Sequence, residues 1–99
     1  MALMEISVVP LGTGSTSLSK YVAQIVRILQ EEGFSYTLTD MGTIIEGPVE
    51  QLFHLARRLH EAPFTAGVKR VYTSIKIDDR RDKKVHLGEK VKSVEGKLV

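Results

Sequence analysis

The stretch Phe34–Gly47, "FSYTLTDMGTIIEG", decides the fold. Phe34, Tyr36 and Leu38 alternate with Ser35, Thr37 and Thr39, which is the period of a half-buried strand. Asp40-Met41-Gly42 then turns the chain into a second run of strand formers, Thr43–Gly47, and the two runs make an antiparallel hairpin. A hairpin here excludes an all-parallel nucleotide-binding sheet, whose strands need crossover connections. The adjacent isoleucines Ile44 and Ile45 mark a strand that expects burial, yet Glu46 stands one position from its end. Side chains alternate along a strand, so Glu46 shares a face with Ile44 and opposes Thr43 and Ile45. With Ile45 turned toward helices, the carboxylate faces the other side of the sheet.

Working outward, Leu3–Val9 is a run of strand formers that Pro10 is expected to stop. The loop "LGTGSTS" follows, and Leu18, Tyr21, Val22, Ile25 and Leu29 then recur at helical spacing up to Gly33. Ser17 suits the N-cap and Gly33 the left-handed position past the helix end. Beyond the hairpin, Pro48 suits a first helical position. Val49, Leu52, Phe53, Ala56 and Leu59 form an apolar stripe, which Pro63 is expected to end. Val68–Ile77 is a fourth strand, with Val71, Thr73, Ile75 and Ile77 opposing Tyr72, Ser74 and Lys76. Leu87, Val91, Val94 and Leu98 give a narrow stripe to a terminal helix over 85–98, weakened by Gly88 and Gly96. Such a helix needs a surface to lie on, in its own domain or on a neighbouring subunit.

The order βαββαβ plus a terminal helix predicts an α+β, ferredoxin-like sandwich. It would be a four-stranded antiparallel sheet with both central helices on one face. Residues 1–99 read as one domain with 85–98 as an extension. The open sheet face carries Ser, Thr, Tyr and Ile more than Lys and Glu, so another subunit is expected to cover part of it.

Composition narrows the function. The absence of cysteine excludes disulfides, thiolate catalysis and Cys-bound zinc, and fits a reducing cytoplasm. No signal peptide or membrane span is read. Net charge is +2, but residues 69–99 hold ten basic and five acidic side chains against four and seven in residues 1–68. Within that cationic end Arg70, Arg80 and Arg81 are candidate anion binders, because guanidinium is a rigid fork for phosphate or sulfate. They could converge on one anion or make separate surface ion pairs. The glycine loop lacks the Gly-Lys-Ser/Thr of a phosphate loop. His54 and His60 are six apart on one helix and form no metal pair, and no nucleophilic triad is recognisable. No catalytic residue, metal site or cofactor is assigned. Single-stranded RNA binding on aromatic strand residues is not expected, because the first strand has none and the fourth only Tyr72.

The segments "VVPLGTG", Ser17 with Tyr21-Val22, "MGTIIEG", His60-Glu61-Ala62, "KRVYTSIKIDDRRDKK" and "EKVKSV" together resemble the thiamine-binding-protein (YkoF-like) family across the whole chain. The resemblance implies a ferredoxin-like protomer assembled as a homotetramer, a dimer of dimers. It also implies non-catalytic binding of thiamine or its hydroxymethylpyrimidine portion on the sheet near a subunit contact. On it, Glu46 is the polar anchor, Gly42 and Thr43 shape the entrance, and Tyr36 or Met41 supply apolar contact. The alternative is a regulatory or oligomerisation module like an ACT domain, responding to an anion or other metabolite through the arginines.

Overall fold

The computed structural model describes residues 1–99. In chain order it contains β1 (Ala2–Leu11), α1 (Ser19–Glu32), β2 (Ser35–Thr39), β3 (Gly42–Gly47), α2 (Val49–Thr65), β4 (Arg70–Asp78) and α3 (Glu89–Lys97). The four strands form one sheet in the order β2-β3-β1-β4, with every neighbouring pair antiparallel. Helices α1 and α2 cover one face and α3 is additional, which is the ferredoxin-like sandwich. No helix is long and apolar enough to cross a membrane.

Strand parity sets the faces. Ala2, Met4, Ile6 and Val8 of β1 and Thr43 and Ile45 of β3 are buried beneath the helices. They meet Ile25 and Leu29 of α1 and Leu52, Leu55, Ala56 and Leu59 of α2 in one core. Burying each large apolar side chain there contributes roughly 1.5–3 kcal/mol. Gly47 closes the end of this core. A Cβ at that position would lie 3.0 Å from the Phe34 ring and 3.3 Å from Leu52, so only glycine lets those side chains approach the strand unmoved.

Several local expectations need correction. Pro10 does not stop β1, because it still pairs with Val71 of β4. The β3 partners of β1 run only from Ala2 to Ile6, so at Pro10 the strand has one neighbour and a missing N–H is tolerated. Helix α1 begins at Ser19 with Leu18 at the cap, and the Ser17 hydroxyl meets Ser19 Oγ at 3.3 Å instead of a backbone N–H. Pro48 has extended ψ of 138° and is the residue before α2. Pro63 sits inside the last turn of α2, which runs on to Thr65: it lacks the N–H that would bond the Leu59 carbonyl but does not end the helix.

The β2–β3 turn has its own chemistry. No residue other than glycine has positive φ, so Asp40 and Met41 do not adopt the mirror-image turns usual in two-residue hairpins. Thr39 Oγ1 instead accepts the N–H groups of Met41 at 3.3 Å and Gly42 at 3.2 Å and donates to the Gly42 carbonyl at 2.7 Å. Helix α3, entered through Gly88 at φ 89°, buries no residue. Its Val91, Val94 and the following Leu98 are 59%, 54% and 79% exposed, so this chain provides no surface for the stripe.

Candidate functional site

Glu46 reaches the open sheet face between Leu3 of β1 and Ser35 of β2, its register partners. The chain leaving β4, residues 79–88, folds back over it as a strap. Glu46 Oε1 accepts the backbone N–H of Leu87 at 2.9 Å and lies 3.0 Å from His86 Nδ1. A carboxylate only accepts, so this geometry requires the proton on Nδ1 of His86. These contacts leave the Glu46 side chain 13% exposed. Both use the same oxygen. The second has no protein partner, and it is not sealed away, because no fully buried side-chain oxygen lacks a hydrogen bond. Glu46 therefore has one oxygen fixed by the 79–88 segment and one open to a further donor.

A cleft of about 660 Å³ borders Glu46, lined also by Phe34, Ser35, Pro48, His54 and Arg58. It opens at the sheet end where β3 passes into α2. Arg58 pairs with Glu32 at its wall. His54 is thus a cleft residue, while His60 accepts or donates a hydrogen bond with Thr73 of β4 at 2.7 Å and ties α2 to the sheet. No group of three or more His, Cys, Asp or Glu side chains is gathered to hold a metal ion.

The other candidate residues fall in different places. Gly42 has the parity of Glu46 and lies on the open face, where a Cβ would come within 3.1 Å of the Ile6 carbonyl oxygen. Thr43 is buried on the helix side, and Tyr36, paired with Ile45, shares that side. Met41 is 85% exposed at the hairpin tip. The three arginines do not converge. Arg70 opens β4 opposite Leu11, whereas Arg80 and Arg81 follow the strand's other end, roughly 26 Å away at 3.3 Å per residue. Arg80 binds Asp82 through Nε at 2.6 Å and Nη2 at 2.9 Å, and Arg81 binds Asp79. Hydrogen bonds from these guanidinium groups hold the Asp79 and Asp82 carboxyls below the usual carboxylate range. The strap arginines are thus already neutralised by their own neighbours.

Sequence reasoning missed His86 and Leu87. Their meeting with Glu46 spans about forty residues and leaves no local periodic trace.

Residues 4–95 match the family described as thiamine-binding protein. The chain is 48% identical over 98 residues to the UPF0045 protein YqgV of Bacillus subtilis, covering 95% of this chain and 94% of that one. It superposes with a TM-score of 0.83 on a hypothetical protein of Methanocaldococcus jannaschii, at 31% identity over 95% of both chains. A putative thiamine biosynthesis/salvage protein from Thermotoga maritima shares the fold, with a TM-score of 0.76 over 94% of this chain and 97% of that one, at 20% identity.

Proposed function

Since this chain belongs to the thiamine-binding protein family, we propose that it binds thiamine, or the hydroxymethylpyrimidine portion of it, with Glu46 as anchor. Family membership supports small-ligand binding in general. The observation that carries the finer assignment is the Glu46 carboxylate, nearly covered on an open sheet face and with one oxygen still available. A covered carboxylate costs several kcal/mol unless paired, and its present partners satisfy only one oxygen. An aminopyrimidine supplies N–H donors to the second, and a thiazolium supplies compensating positive charge. The adjoining cleft of about 660 Å³ falls in the size range of small-molecule sites.

Gly42 keeps the open face clear along the same strand. Thr43 and Tyr36 act from the helix side, holding β3 and β2 in position, while Met41, at the hairpin tip at the other end of β3, stays outside the contact that Glu46 anchors. The proposed role is binding without catalysis.

The protomers are further proposed to assemble through the open face and the α3 stripe into a dimer of dimers, which the exposed Tyr72, Val91 and Val94 support. Calorimetric titration with thiamine and with hydroxymethylpyrimidine tests the ligand: saturable heat is expected, and none at about 1 mM ligand would sink the assignment. Sedimentation equilibrium tests the assembly, and protomers alone at about 1 μM or above would remove it.

A further inference from the structure

The sheet end remote from Glu46 carries a second cleft, of about 680 Å³, between the β1–α1 loop and the α2–β4 connection. Leu11, Tyr21 and Val68 give it apolar walls, Thr13 a hydroxyl, and Lys69 and Arg70 its cations. Lys20 stands at the adjoining groove beside Thr13, with its ammonium 5.0 Å from the Tyr21 ring centre. None of these three cations has a carboxylate within ion-pair distance, in contrast to the strap arginines. The sequence explains why: it contains no Asp or Glu from residue 6 to 30 or from 62 to 77.

Helix dipoles do not offset this excess. The start of α1 and the end of α2 border the cleft with about half a charge each, of opposite sign, and so cancel. The loop adds neutral donors. Thr13 Oγ1 bonds to the Ser15 carbonyl at 3.1 Å and accepts the Ser15 N–H at 3.4 Å, while Gly12 and Gly14 take left-handed φ of 74° and 75°. The N–H groups of Gly12, Thr13 and Gly14 make no hydrogen bond within the protein.

We propose that this cleft is a binding site for a phosphate monoester carried on an apolar body. Two uncompensated cations in the cleft, with a third at the adjoining groove, match a phosphate monoester, with a charge of about −1.5 to −2 at neutral pH, better than a singly charged carboxylate. Arg70 supplies the planar fork for its oxygens, and the Leu11 and Val68 walls take the apolar part. The site is separate from Glu46 and stands whether or not thiamine binds there.

The test is titration of the full chain with phenyl phosphate, inorganic phosphate and benzoate at constant ionic strength, followed by calorimetry and amide chemical shifts. Phenyl phosphate is expected to saturate with a Kd of about 1 mM or lower and to bind about tenfold more tightly than the other two. Shifts should centre on Gly12, Thr13, Lys69 and Arg70. Arg70 is exposed at a strand end, so Arg70→Ala should fold normally and weaken phenyl phosphate by about tenfold. Lys69→Ala should weaken it in the same direction, and Glu46→Gln should leave it unchanged. Absence of saturation, equal binding of benzoate, or an Arg70→Ala protein that binds as the parent does would each overturn the proposal.

Discussion

Glu46→Gln is expected to weaken thiamine binding by about 10- to 100-fold, the loss of roughly 1.5–3 kcal/mol that accompanies removal of a charged hydrogen-bond acceptor. The substitution keeps the shape of the side chain. It replaces one carboxylate oxygen by an NH₂ group, which cannot accept the aminopyrimidine N–H and no longer attracts the thiazolium. The remaining amide oxygen can still receive the Leu87 N–H, so the fold should lose only about 1 kcal/mol. Calorimetry gives the affinity and the Leu87 amide resonance reports the strap. Affinity within about twofold of the parent, with the Leu87 contact intact, would place the ligand elsewhere.

Leu59→Ala should cost about 2–5 kcal/mol of protomer stability, since Leu59 is fully buried in α2 within the only large core of the chain. Just 17 of 99 residues are buried in the protomer, so each core position carries a large share of the total. For a chain of this length each kcal/mol corresponds to about 4–8 °C in Tm, which makes a fall of about 10 °C or more the expected outcome of thermal melting. A fall of only about 2 °C would mean that contacts between protomers, and not this core, dominate stability.

The fold was legible because each element carries its own periodic signal. The alternation of Phe34–Gly47, the helical spacing of Ile25 and Leu29, and the two faces of Val71–Ile77 each suffice locally, and their order leaves few topologies. The face of Glu46 followed from the same parity. That parity already put Thr43 on the opposite face from Glu46, and it would have put Tyr36 there too had the hairpin register been carried through: Tyr36 pairs with Ile45. Likewise the length of β4 alone separates Arg70 from Arg80 and Arg81. The strap is different. Residues 79–84 have neither helix nor strand periodicity, Leu87 keeps the spacing of the α3 stripe although the helix starts only at Glu89, and the hydrogen bonds that tie the segment to the sheet go to a single carboxylate, Glu46. Nor does a local pattern say that a helical stripe such as that of α3 has no partner in its own chain.

The central placement of β1 also governs how the molecule is made. β1 is synthesised before both of its partners, and it pairs with β3 on one side and, along Leu3–Leu11, with Asp78–Arg70 of β4 on the other. Its longest ladder must therefore wait until most of the chain has been synthesised. Closing loops of that length carries an entropic cost before any contact rewards it, which slows folding relative to a chain with local pairings. Until β4 arrives, one edge of β1 stays unpaired and the core lacks Val71 and Ile77, which pack against it from β4. Nascent chains truncated before residue 70 should accordingly bind hydrophobic-sensing chaperones or dyes, and chains released past residue 78 should not.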